Sequence, residues 1–292
     1  MLNMMKADLI RIFCGKMIWV TIGLFMLFNI VITISYITDM SIGFNGHNDD
    51  FLYMLELTEY EIIDSEISDS EVYLYSTNSL PLYGGNMPAN SLNQWGDVIL
   101  YFLLPIVGVV TVADFSSGAV KNLLASGINR TKYFLSKLFL SFAIVMTMFL
   151  SYTVLPTIAV TIDNGFGDGF ASGTLVSLAG RSLLVLAATS FAIMLAFVTK
   201  KAAGMIGGYL AALLGTTTVL LILAGINGRF WPWLEYEFIS SFNRFAVTYE
   251  TTLGIGFNLS TTDTTRIVMM GFVILAFSVS IGFMAFRKAE IK

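Results

Sequence analysis

Six long apolar stretches of this chain contain no Asp, Glu, Lys, Arg or His, and they restrict its possible folds more than any other feature. They run from Met17 to Thr38, Val98 to Ala113, Leu138 to Ile162, Ser182 to Thr199, Ala202 to Gly225 and Ile267 to Phe286. About 20 apolar residues at 1.5 Å rise cross a hydrocarbon layer of about 30 Å. Each run therefore predicts a transmembrane helix, with spans at about 17–38, 97–113, 138–162, 182–199, 202–225 and 267–286. The second is short and carries Pro105, so it needs flanking residues to reach across. The expected fold class is an all-α integral membrane protein of six helices. Composition agrees, since 56% of the 292 residues are hydrophobic and 12% charged, against about 45–50% and about 25% in a soluble domain.

Lys and Arg remain on the cytoplasmic side of a membrane. With the N-terminus inside, the inner segments hold Lys6, Arg11, Lys16, Lys121, Arg130, Lys132, Lys137, Lys200, Lys201, Arg287, Lys288 and Lys292, and the outer ones only Arg181, Arg229, Arg244 and Arg266. That asymmetry predicts cytoplasmic termini. The first run is too long for the apolar region of a signal peptide, and Ser35 to Ser41 offers no small-residue cleavage site, so the first helix is expected to stay in the protein.

Between the spans the chain changes character. Residues 1–16 put Leu2, Met5, Leu9, Ile12 and Phe13 on one helical face and Asn3, Asp8 and Arg11 on the other, the pattern of an amphipathic helix lying in the interface. Residues 39–96 carry ten acidic residues and no Lys or Arg, an acidic extracellular loop. Glu56, Glu59, Glu61, Asp64 and Glu66 are its candidates for attracting a cationic substrate, with solubility and topology as the plainer explanation. Asp163 to Gly169, DNGFGDG, is a single copy of a glycine-aspartate pattern and reads as a turn. Phe230, Trp231, Trp233, Tyr236 and Phe238 cluster around Pro232, which predicts a short re-entrant or interfacial helix or a plain aromatic belt. Gly204, Gly208 and Ala212 form a small-residue stripe on the fifth span, with Gly207, Ala211 and Gly215 on a neighbouring face. Such stripes allow close helix approach, between subunits or within one. Asn29, Thr33, Ser35 and Thr216 to Thr218 are polar groups at depth, expected to bond to their own helix backbone.

Several chemistries are excluded. No ionisable group falls inside the six runs, which disfavours a proton-driven transporter. No G-x-x-x-x-G-K-[ST] loop is present to cradle phosphates, and no nucleophile elbow or metalloprotease pair, so the chain is not expected to be an enzyme. The single Cys14 and single His47 cannot build a metal cluster, and a net charge of -4 argues against nucleic acid.

The link between the second and third spans, Asp114 to Lys137, reads DFSSGAVKNLLASGINRTKYFLSK. Ser116 or Ser117 can cap a short helix over Gly118 to Ser126, Gly127 suits its C-terminal stop, and Asn129 can cap the next helix. Val120, Leu123 and Leu124 would then fill a cleft on a soluble partner. Here the chain resembles the permease subunits of bacterial ABC exporters of the six-helix class that handles drugs, antibiotics and antimicrobial peptides. The matching positions are Asp114, Gly118, Lys121, Gly127, Arg130 and Lys137, with Asp114 where the family more often has glutamate and Ala119 where it has threonine. The layout matches too, from interfacial helix to short basic tail. The resemblance implies two permease subunits, identical or paralogous, with two separate ATPase subunits that bind ATP and Mg. It implies a coupling helix docked on the ATPase through this link, and a bacterial plasma-membrane location. The chain itself would hold no cofactor. The expected function is export of an amphipathic substrate, a cationic antimicrobial peptide or a drug. The alternative from another class is a membrane-anchored ligand-binding sensor with an acidic ectodomain. A self-contained channel is a third possibility, but the spans offer no charged selectivity ring.

Overall fold

The structure, a computed structural model, describes residues 2–37, 98–164, 172–234, 237–244, 248–250, 254–256 and 261–288. The acidic loop with Glu56, Glu59, Glu61, Asp64 and Glu66, His47, most of the DNGFGDG turn and Tyr236 lie outside these residues.

Helix α1 (Leu2–Cys14) meets α2 (Lys16–Ile37) at a bend of 74°. The turn is made at Gly15, whose N–H donates to the Ile12 carbonyl at 3.0 Å. Trp19 closes the elbow, its Nε1 donating to the Phe13 carbonyl at 2.6 Å and its ring meeting the Phe13 ring edge-on. Then come α3 (Ile99–Val107), a π-helical turn (Gly108–Val112), α4 (Ala113–Ser116) and the short α5 (Ala119–Ala125). The long helices α6 (Arg130–Asn164), α7 (Ser172–Thr199) and α8 (Ala202–Ile226) follow. A 3-10 turn (Gly228–Phe230), α9 (Trp231–Leu234) and α10 (Phe238–Arg244) lead to a hairpin of β1 (Thr248–Glu250) and β2 (Gly254–Gly256), and α11 (Thr261–Lys288) ends the described chain. The strands pair antiparallel, Thr248 opposite Gly256. Apart from that hairpin the regular structure among the described residues is helical.

Among the described residues five helical stretches are long and apolar enough to cross a membrane: Ile99–Ser116, Arg130–Leu155, Leu178–Thr199, Ala202–Ile226 and Thr264–Lys288. The bent pair of α1 and α2 makes a sixth if counted as one span. The outward surface fits a bilayer, since Trp19, Leu27, Ile222, Phe272, Val273 and Phe277 are each more than half exposed. In water such a continuous apolar surface would drive association.

At the centre stands α7, packed against α3, α6, α8 and, most extensively, α11. Its buried residues are mostly small, Ala187, Ala188, Ala192 and Ala196 among them, and helices approach closely where side chains are small. Close approach is also made by two glycines of α11, outside the stripe on the fifth span. A Cβ on Gly282 would lie 3.2 Å from the Met194 Cα, and one on Gly271 3.1 Å from the Leu183 side chain. Eleven residues apart is close to three helical turns, so both glycines share one face. Of the stripe on α8, Gly204 and Gly208 abut Thr199 and Leu195 of the same chain, while Gly207 and Gly215 face open space.

The charge-free runs understate the helices. Asp114, Lys137 and Arg181, each adjoining one of the runs, all lie within the longer apolar helical stretches. A run ends at the first charged residue, but a helix continues past it when that charge has a partner. Arg181, assigned above to an outer segment, is only 2% exposed inside α7, where its Nε donates to the Phe242 carbonyl at 3.4 Å and its guanidinium lies over the Phe242 ring. The hydroxyls of Thr216, Thr217 and Thr218 do bond to carbonyls of their own helix, as does the Asn29 amide.

Candidate functional site: a buried ion cluster under a short surface helix

The link from Asp114 to Lys137 folds as three pieces with distinct jobs. The first is a change of helical register. After Pro105 the backbone passes through the π-helical turn, which inserts an extra residue and rotates everything beyond by about 100° relative to an uninterrupted helix. Asp114, in the next turn, is fully buried.

The second piece is α5. No serine caps it: Ser116 and Ser117 donate back to the Ala113 and Asp114 carbonyls instead. The N-cap is Gly118, with φ +71°, a left-handed conformation that only glycine adopts without cost. At the other end Gly127, φ +87°, donates to the Leu124 carbonyl and Ile128 to the Leu123 carbonyl, the paired bonds of a glycine-terminated helix. Neither glycine has a neighbour within 4 Å of a built Cβ, so backbone conformation alone requires them. Asn129 caps α6, accepting from the Thr131 N–H at 2.9 Å. The Gly127 stop and the Asn129 cap agree with the sequence reading; the serine cap is replaced by Gly118.

The third piece is the cluster itself. Lys137 Nζ, fully buried, lies 2.7 Å from Asp114 Oδ2 and 2.7 Å from Asp8 Oδ2. Arg11 pairs with Asp114 and sits 3.4 Å from Asp8. Tyr133 donates its hydroxyl to Asp114 Oδ2 at 2.8 Å. Two carboxylates face two cations, so the group is formally neutral. Its floor is aromatic: Tyr133 packs on Phe286 and Phe197, and Phe115 meets both of those rings edge-on. In such surroundings charge interactions are strong and desolvation is costly, so burial is tolerated only with every charge partnered. The cluster ties α1, α4 and α6 into one unit.

This geometry revises the expected roles of several residues. Asp114 and Lys137 are internal. Arg130 donates to the Phe286 and Arg287 carbonyls at 3.1 and 2.8 Å, satisfying the end of α11. Val120 is 1% exposed, so it cannot enter a partner's cleft as expected, and Leu123 and Leu124 are half-buried against the chain's own core. The apolar side of α5 is spent on anchoring. What α5 and its exit present outward is Lys121, Asn122, Ala125, Ser126 and Gly127.

The sequence marks Asp8 and Arg11 only as part of a polar helix face, and it does not mark Tyr133 at all. Asp8 was read on the outward polar face of α1, yet it is buried beside Ile12 while Leu9 and Ile10 are exposed. Ion pairing turned that face inward, at little cost where the exposed apolar residues meet lipid. The local signal was present, since Asp8 and Arg11 are three residues apart on one helix.

On the opposite side of the bundle the aromatic segment forms the short helices α9 and α10. Glu237 caps α10, accepting from the Ser240 N–H at 3.0 Å, and also accepts from the Thr217 hydroxyl at 2.7 Å. Thr217 lies nine residues before the end of α8, about 13 Å back along it, so the segment folds back along the bundle.

Comparisons of this chain with protein-family models, with curated proteins and with solved structures find no match.

Proposed function

We propose that this chain is the six-span permease subunit of an ATP-driven exporter, with α5 as the coupling helix that docks on a separate ATPase subunit. The observation that carries the reading is the mounting of α5. A seven-residue helix is set between two left-handed glycines, with its apolar side anchored and a polar face turned outward. It is joined without a break to an ion cluster that grips α1 and α6. A force applied to α5 would reach α3 through the π-helical turn and α6 through Asn129. In this reading α5 and both termini are cytoplasmic and the membrane is the bacterial plasma membrane. The ATPase subunits hold ATP and Mg, a second permease copy or paralogue completes the path, and the substrate is an amphipathic drug or cationic antimicrobial peptide.

The test is co-purification of the tagged chain from its native host in mild detergent, beside a variant in which Lys121→Glu and Ala125→Arg alter only the outward face of α5. Wild type should retain a P-loop subunit and ATPase activity, and the variant should lose both while remaining monodisperse. A well-folded wild-type chain that brings down no ATPase would overturn the assignment.

A further inference from the structure

With α2, 22 residues and about 33 Å long, crossing the bilayer, the 74° bend at the elbow leaves α1 close to the bilayer plane. One side of α1 packs on the bundle, where Asp8 and Ile12 are buried. The other side is open and mixed in character. Lys6, Ile10 and Phe13 recur at the i, i+4, i+7 spacing of a single helical face, with Lys6 exposed, Ile10 64% exposed and Phe13 half-buried. Leu9 is exposed at its edge, and past the elbow so are Lys16, Met17 and Trp19. A lysine set among exposed apolar residues lays its stem along them and carries its ammonium to the polar boundary.

The fold also unbalances the charge at this end of the molecule. Here α4, α6, α7 and α11 meet, since Phe115 contacts Phe197 and Phe286, and Arg130 bonds to the Phe286 and Arg287 carbonyls. The two acids described at this end, Asp8 and Asp114, are both buried and are matched by Lys137 and Arg11. The exposed charge left over is therefore all of one sign. Lys6, Lys16, Lys121, Lys132, Lys201 and Lys288 are exposed and make no ion pair among the described residues. Of these, Lys6 and Lys16 bracket the open face of α1 and the elbow. The cluster fixes which way that face points, because Asp8 and Arg11 on the same helix are held on the bundle side.

We propose that α1 and the elbow dock on anionic phospholipid headgroups, with Lys6 and Lys16 at the level of the phosphates and Leu9, Ile10, Met17 and Trp19 in the boundary with the acyl chains. A helix lying in the interface gains from both its apolar contact and its attraction to anionic lipid. Phosphatidylcholine offers the same phosphate but cancels it with its own cation, whereas phosphatidylglycerol leaves the charge to the protein. A lysine near such a surface is worth about fivefold in affinity. The contact needs neither nucleotide nor a partner chain, so it stands apart from the exporter reading.

Cys14, the only cysteine of the chain, is exposed one turn beyond Ile10, so a bimane fluorophore placed there reports on the lipid beside α1. The labelled full chain is put into phosphatidylcholine nanodiscs carrying a minor fraction of either phosphatidylglycerol or phosphatidylcholine that is spin-labelled near the headgroup. Phosphatidylglycerol should quench the fluorophore at a mole fraction at least about fivefold lower than phosphatidylcholine does. Lys6→Gln with Lys16→Gln should bring the two lipids to parity, and Lys6→Arg with Lys16→Arg should keep the preference, which separates charge from packing. Lys201→Gln, at the same end but on the turn from α7 to α8, should change nothing. All three variants alter exposed side chains, and an unchanged thermal midpoint verifies that each is folded. Equal quenching by the two lipids, or quenching by neither because a second copy of the chain covers α1, overturns the proposal. So does a preference that survives the double glutamine variant, or one that Lys201→Gln lowers as much, which would mean a diffuse field in place of a site. A failed ATPase co-purification leaves the result standing.

Discussion

Replacing Lys137 with Met should be among the most damaging single changes in this protein, and the damage should be repaired in part by a second substitution. Lys137 is fully buried and 2.7 Å from each of two carboxylates. Without it Asp8 and Asp114 face only Arg11, whose side chain is 43% exposed and so contributes less. The cluster goes from neutral to one excess negative charge in an aromatic enclosure. Removing one partner of a buried pair costs about 3–5 kcal/mol; with Arg11 still reaching both acids the lower end, about 3 kcal/mol, is expected. Asp8→Asn alone leaves one excess positive charge and should cost about 1–2 kcal/mol. Combined, the two changes restore neutrality and leave Arg11 paired with Asp114. The double variant should therefore lose about 2 kcal/mol less than the sum of the singles. Reversible unfolding of the purified protein in mixed micelles, titrated with SDS, reads all four corners of the cycle. Single costs that add to within about 0.5 kcal/mol would refute the claim that these charges act as one cluster.

Other expectations follow from local geometry. Gly118→Ala and Gly127→Ala should each cost about 1–2 kcal/mol in the same assay, because each places a Cβ in left-handed backbone with no contact to compensate. Thr217→Val should raise hydrogen exchange across 237–244 severalfold, since Glu237 loses the hydroxyl that ties α10 to α8; unchanged protection would mean that α10 is held by Arg181 and apolar contact alone. Gly282→Leu should disrupt α7–α11 packing and lower the thermal midpoint, as its Cβ already meets the Met194 backbone at 3.2 Å. In cells, neutralising Glu56, Glu59, Glu61, Asp64 and Glu66 together should weaken protection against cationic peptides more than against neutral drugs, and an equal effect on both would remove the acidic loop from substrate choice.

Particular residues explain why some of this architecture could be read in advance. Gly127 and Asn129 act on backbone groups one to four positions away, so their roles are written in the adjacent sequence. The apolar helices follow from long charge-free runs, which are local as well. Asp8, Asp114 and Lys137 are different, because what decides their burial is the meeting of three helices far apart in sequence. Asp8 taken alone on α1 belongs on a wet face. Val120, Leu123 and Leu124 mark an apolar side of α5 without saying how much of it the chain covers; Val120 is buried and Leu123 and Leu124 are partly so. The tight glycines divide the same way: Gly204, where a built Cβ would lie 2.7 Å from Thr199, belongs to a stripe visible at four-residue spacing, while Gly271 and Gly282, three turns apart on α11, show their contacts with α7 only in the fold.

The ion cluster also sets an order of events during synthesis. Asp8 and Arg11 are translated early, and Lys137, the buried partner of Asp8, follows about 130 residues later, a wait of about 6–26 s at 5–20 residues per second. Arg11 can pair with Asp114 from about 100 residues on, while Asp8 waits for Lys137 with only Arg11 of the cluster, one turn away on the same helix. The helix over Leu2–Cys14 therefore acquires its final seat only after the helix beginning at Arg130 has emerged, so a segment translated ahead of the other described helices is among the later ones to be fixed in place.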